Sequence, residues 1–188
     1  MNARRGLGTA WVFALLAACA GPEADLASRE PYERYLAVRE LAQTPEAASV
    51  AEIVRRLEDP HFLVVVGALE ALGDIGRREF VQHVVPKLKA AHPMVRQYAA
   101  LTAARLGNEE AVPALLETLR TDADPTVRRT AAKALAAFGA RPDVRRALAE
   151  AVGDRDPSVS LMAHLRLQEI TGRQDVPPSR QAWLEALP

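Results

Sequence analysis

Val127-Arg128-Arg129-Thr130-Ala131-Ala132-Lys133-Ala134-Leu135 follows the step Asp124-Pro125, and Val95-Arg96-Gln97-Tyr98-Ala99-Ala100-Leu101 follows Pro93 with matching residue types in matching places. Working outward, Pro60, Pro93, Pro125 and Pro157 are separated by 33, 32 and 32 residues, and Asp59, Asp124 and Asp156 precede three of them. An Asp-Pro step starts a helix: the carboxylate caps free N–H groups, and the ring is tolerated at the first helical position. Each proline leads an Ala/Leu-rich stretch that stops near Gly76, Gly107, Gly139 or Gly172, where glycine permits a left-handed cap. Between these stretches lie second amphipathic segments, roughly Glu46 to Glu58, Arg78 to Ala90, Glu109 to Arg120 and Asp143 to Val152. The unit is helix, turn, helix, turn, with Pro31 to Ala42 as the second helix of an incomplete first unit.

This pattern resembles the HEAT repeat, in particular the short HEAT-like form first associated with phycobilisome lyases, over residues 31–172. The resemblance implies an all-α fold, an α-solenoid of about four to five helix pairs. Alanines on one face let helices approach closely, while Val, Leu, Ile and Phe fill a core that one unit cannot bury alone. In the HEAT family an aspartate late in the first helix and an arginine early in the second can form a ladder between repeats. Asp122 and Arg128 fit that spacing, but Ala90 replaces the acid in the unit of Arg96 and Ser160 the arginine in the unit of Asp154, so a broken ladder is expected. The unit of Phe62 carries two extra residues after Pro60, so its second helix should begin late, and Pro86 should kink the segment that contains it. Residues 173–188 read as a C-terminal cap in which Trp183, Leu184 and Leu187 close the last apolar face.

Residues 1–18 read as an export signal. Arg4 and Arg5 precede an apolar run, Ala10 to Ala18, too short to span a bilayer, and Leu16-Ala17-Ala18-Cys19 resembles the lipobox of bacterial lipoproteins. The resemblance implies cleavage before Cys19, lipidation of that cysteine and a tether over residues 19–30. Ala20 stands where an aspartate commonly retains such proteins at the inner membrane, which implies an outer-membrane anchor facing the periplasm. Acyl chains contribute about 0.8 kcal/mol per buried methylene, so several of them make an effectively permanent attachment.

The search for chemistry excludes several classes. Cys19 is the single cysteine among 188 residues, which leaves no intramolecular disulfide, cysteine zinc site or iron–sulfur cluster. His61, His83, His92 and His164 include no pair at the spacing of two ligands on one helix face, and His61 and His92 flank repeat prolines, where cap roles explain them. No nucleophile elbow, phosphate loop or dinucleotide fingerprint occurs, so no catalytic residue and no cofactor is expected. Lys+Arg and Asp+Glu are both 24, a balance that argues against nucleic acid as a partner.

What remains is surface. Second helices line the concave side of HEAT arrays, and here they carry Arg96, Arg105, Arg128, Arg129, Lys133 and Arg166, candidates for binding an acidic segment of another envelope protein or an anionic envelope polymer. The expected function is a lipid-anchored envelope scaffold without catalysis of its own. The alternatives are a bilin lyase or isomerase accessory, suggested by the type of repeat, and a small-ligand carrier, which the 5% aromatic content disfavours.

Overall fold

The computed structural model describes residues 26–43 and 46–187; residues 1–18, expected to be an export signal, Cys19 and most of the expected tether over 19–30 lie outside them. The described residues form ten α-helices with short 3-10 turns at several ends, and no strand occurs among them. A lone helix, α1 (Pro31–Leu41), is followed by four pairs: α2 (Ala47–Arg55) with α3 (Phe62–Ile75), α4 (Val81–Val84) with α5 (Pro93–Leu106), α6 (Val112–Thr121) with α7 (Pro125–Leu135), and α8 (Pro142–Ala151) with α9 (Pro157–Thr171). A short α10 (Arg180–Ala186) closes the chain. Successive second helices pack along their lengths, α1 on α3, α3 on α5, α5 on α7 and α7 on α9, whereas the first helices meet far less extensively. Axes drawn together on one side curve the stack toward that side, so the second helices line the inner face of an α-solenoid.

The reason lies in the small residues. Ala99, Ala100, Ala103, Ala131, Ala132 and Ala163 are all fully buried at 0% exposure, and Leu69, Leu72, Leu115, Leu135, Leu148 and Leu167 fill the space between layers. Glycine serves two distinct purposes. Gly76, Gly107 and Gly172 adopt φ of 72°, 61° and 72° and end α3, α5 and α9 in the left-handed region. Gly139 departs from the expected cap: its φ is −62°, and a Cβ there would lie 2.7 Å from Ile170, so this glycine exists for close approach.

Two other details refine the repeat. Helix α3 begins two residues beyond Pro60 and is capped by His61, whose Nδ1 accepts the Leu63 N–H at 3.3 Å. His92 caps α5 in the same way, while Asp124 and Asp156 cap α7 and α9. The Pro86 segment leaves α-geometry for a 3-10 turn over Val85–Lys89.

The ladder does break at Ala90, but stacking changes which residues it pairs. Arg96 pairs with Asp122 (2.7 and 2.8 Å) and Arg128 with Asp154 (2.9 and 2.8 Å), each arginine reaching the acid of the following unit, 26 residues on. Arg34 does the same with Asp59 (2.9 and 2.8 Å), so Asp59 belongs to the ladder and does not cap a helix. Each arginine also binds the carbonyls five and six residues before it, which is why Asp122 and Arg128 show a plausible spacing: Arg128 Nη1 takes the Asp122 backbone oxygen at 2.9 Å, not its carboxylate. Each acid accepts the N–H two residues on, of His61, Asp124 or Asp156.

The rung absent between α3 and α5 lacks both members, because Val65 occupies the arginine position and Ala90 the acid position. There Phe62 stacks on His92 (centroids 3.9 Å apart, planes 3° apart) and on His61 (4.9 Å), and Lys87 reaches Glu58 at 2.8 Å.

The C-terminal end of the stack is closed. Trp183 is 0% exposed, and its Nε1–H donates to His164 Nδ1 at 2.8 Å within the last layer. At the other end α1 exposes Glu33, where the units of α5, α7 and α9 bury Val95, Val127 and Val159, and Glu40, together with Tyr32 and Leu36, which are 61% and 42% exposed.

Candidate functional site

The inner face follows from helical periodicity. In α7 the exposed residues Thr126, Arg129, Lys133 and Ala137 fall 2, 5, 9 and 13 residues beyond the N-cap, one stripe along the helix and its 3-10 end. In α9 the same positions hold Ser158, Leu161, Leu165 and Glu169, also exposed. In α5 they hold Met94, Gln97, Leu101 and Arg105, of which Met94 and Arg105 are exposed.

The six cations expected on this face divide by environment. The Arg96 and Arg128 side chains are only 14% and 4% exposed and are spent on the ladder. Donating hydrogen bonds to the Asp122 and Asp154 carboxylates pushes these two guanidinium groups further up from their ordinary range. In return, the Arg128 hydrogen bonds hold the Asp154 carboxyl below the ordinary carboxylate range. Burial pushes the Asp59 carboxyl up, but the Arg34 hydrogen bonds, the His61 N–H and the nearby arginine charges together hold it low. Arg105 is exposed and bound to Asp74 at 2.9 Å, and Arg166 reaches Glu169 at 2.6 Å. Among the described residues, Arg129 and Lys133 are exposed and make no ion pair.

The inner face therefore has two unlike halves. Toward the N-terminus, Glu70 and Asp74 of α3 lie between Arg39 of α1 (2.7 Å to Asp74) and Arg105 of α5, and the Tyr35 hydroxyl donates to Glu70 at 3.2 Å. Tyr35 lies against Gly67, where a Cβ would come within 2.7 Å of its ring. Burial, with the Glu70 charge added, raises the Tyr35 phenol, which stays protonated and able to donate. That half neutralises itself. Toward the C-terminus, Arg129 and Lys133 stand beside Leu161 and Leu165, which are 57% and 41% exposed.

Among the described residues no group of three or more His, Cys, Asp or Glu is placed to hold a metal ion, and no helix is long and apolar enough to cross a membrane. Sequence reasoning missed His164, which receives the Trp183 hydrogen bond from a position where the other units have Val38, Leu69, Ala100 and Ala132. A polar residue at an otherwise apolar register was the available signal. Cys19 lies outside the described residues.

Helix pairs stacked in one curved layer, with a row of second helices along its inner face, define a repeat solenoid. The chain belongs to the HEAT repeat family, which matches residues 23–86, 81–163 and 118–186. Among solved structures it is similar to the complex of CpcE and CpcF of phycocyanin lyase from Nostoc sp. PCC7120, with TM-score 0.67 and 24% identity over 83% of this chain and 68% of that one. It is also similar to a designed armadillo repeat protein in complex with the peptide (KR)4, with TM-score 0.55 and 20% identity over 87% and 96% of the two chains. An engineered protein matches with TM-score 0.53 and 22% identity over 77% of this chain and 75% of that one. At these identities the likeness is one of fold. A comparison with curated proteins gives no match.

Proposed function

We propose that this chain is a lipid-anchored scaffold of the cell envelope that binds another envelope protein through the inner face of its solenoid and performs no chemistry of its own. The observation that carries the binding role is the C-terminal half of that face, where Arg129 and Lys133 lack ion-pair partners and Leu161 and Leu165 are uncovered. Elsewhere on the inner face charge is largely paired: the ladder arginines hold their aspartates, and Glu70 and Asp74 are held by Arg39 and Arg105. That a designed solenoid of the same fold takes a peptide supports peptide or helix binding as the mode. The anchor rests on the run Leu16-Ala17-Ala18-Cys19 behind a basic, apolar leader, and an outer-membrane address on Ala20.

Two measurements test this together. Mass spectrometry of the protein from washed membranes should show a chain beginning at an acylated Cys19, and Cys19→Ser should release it from the membrane fraction. Cross-linked co-purification from intact cells should enrich one protein with the wild type and lose it with Arg129→Glu/Lys133→Glu. An unacylated N-terminus removes the anchor; equal enrichment with both forms moves the binding surface elsewhere.

A further inference from the structure

The four residues that set the C-terminal half of the inner face apart form a regular figure. Arg129 and Leu161 are 32 residues apart, as are Lys133 and Leu165, so each cation on α7 has a leucine at the same register of the adjacent helix α9. Within each helix the two residues are four apart, one turn or about 6 Å along the axis. Neighbouring packed helices lie about 8–10 Å apart. The face thus presents a row of two cations alongside a row of two leucines, on helices that pack against each other.

Each row has a chemical demand. Two bare leucines leave apolar area in water, and two cations without ion-pair partners attract carboxylates, more strongly once water is excluded from around them. The shallow furrow between two parallel helices has the width and period to seat a third, whose own side chains recur at one-turn spacing. We propose that the occupant is an amphipathic helix of another protein, laid along the α7/α9 furrow, with an aliphatic stripe over Leu161 and Leu165 and a flanking row of Asp or Glu over Arg129 and Lys133. Thr126 and Ser158, the small residues at the start of the two stripes, leave room for it to enter. Glu169, at the far end of the α9 stripe and bound to Arg166, repels an acid there and confines the acidic row to the α7 side.

Other occupants fit less of the figure. An anionic polymer has no use for the two leucines, and a membrane surface carries no row of carboxylates at one-turn spacing. The inference rests on the proposed inner-face binding and narrows it to one partner chemistry.

The test uses the purified full-length mature protein and a fluorescein-labelled helical peptide with Leu at i and i+4 and Glu on the adjacent stripe, followed by anisotropy. Three further probes are the same peptide with Glu replaced by Lys, the same peptide with Leu replaced by Ser, and vesicles containing an anionic lipid. The inference predicts saturable binding of the first peptide, weakened at least tenfold by Arg129→Glu/Lys133→Glu, at least tenfold by Leu161→Ser/Leu165→Ser, and not by Arg146→Glu on the first-helix side. Circular dichroism checks that each variant stays folded, as exposed positions allow. Equal binding of the Leu-to-Ser peptide, preference for the Lys peptide, or binding of vesicles in place of the peptide each overturns it. If no peptide binds while the in-cell partner is still lost with Arg129→Glu/Lys133→Glu, the helix inference fails and the scaffold reading stands; if neither binds, both fail.

Discussion

Arg128 and Arg129 are neighbours in sequence with opposite duties, and replacing each with methionine separates them. Arg128 makes two contacts to the Asp154 carboxylate at 2.9 and 2.8 Å and a third to the Asp122 carbonyl at 2.9 Å, with 4% of its side chain exposed. Arg128→Met keeps the aliphatic stem and leaves Asp154 with the Asp156 N–H at 2.8 Å as its remaining hydrogen-bond donor. Breaking a buried pair by removing one partner costs on the order of 3–5 kcal/mol. Because the Asp154 side chain retains 13% exposure, the lower end is expected, about 3 kcal/mol. Arg129→Met, at an exposed position, should change stability by no more than about 0.5 kcal/mol. Asp154→Asn should also destabilise. The double variant Arg128→Met/Asp154→Asn should cost less than the sum of the two, with a coupling energy of about 1–2 kcal/mol. Urea unfolding followed by circular dichroism at 222 nm measures all four. Equal costs for the two arginines, or additive costs for Arg128 and Asp154, would refute the ladder as the element joining these units.

Three further expectations follow from the same packing. Asp59 and Asp154 are held below their ordinary values in the fold, so their stabilisation is fully present above the ordinary carboxylate pKa of about 3.9 and is lost as pH falls through the lowered values. Urea midpoints should therefore stay level between pH 7 and 5 with respect to these groups and fall steeply below pH ~4, with Asp154→Asn falling less over that range. A Cβ at residue 139 meets Ile170 at 2.7 Å, so Gly139→Ala should cost about 1–3 kcal/mol in the same unfolding assay, and Ile170→Ala in that background should recover part of it. Trp183→Ala removes the fully buried lid, at a cost of about 3–5 kcal/mol, while Trp183→Phe strands the His164 Nδ1 acceptor at a cost of about 1–3 kcal/mol; thermal melts check both.

The helical repeat was legible because its punctuation is local. Proline at the first position of a helix and glycine beyond its end act within a few residues, and their 32-residue recurrence needs no knowledge of neighbours. The late start of α3 and the 3-10 turn at Pro86 were readable for the same reason. The ladder was misread because two spacings compete. Arg128 lies six residues from Asp122 and 26 before Asp154, both distances recur in the sequence, and stacking decides that the carboxylate comes from the following unit. Gly139 looked like the other terminal glycines because a close approach by Ile170 leaves no local mark. The charge of the inner face was half legible: the second helices do carry the six cations, yet Arg96 and Arg128 are absorbed by the ladder and Arg105 by Asp74. Leu161 and Leu165 carry no local mark of exposure, because leucine in a helix is usually buried and their 57% and 41% exposure depends on where the stripe of α9 points.

A photo-reactive amino acid placed at residue 133 in the living cell, compared with one at residue 146 on the first-helix side, tests the central claim most directly. Inner-face binding predicts one discrete cross-linked protein from position 133, found in the envelope fraction, and none from position 146. Cross-links from position 146 alone, or from neither position in a protein that is folded and acylated, would contradict it.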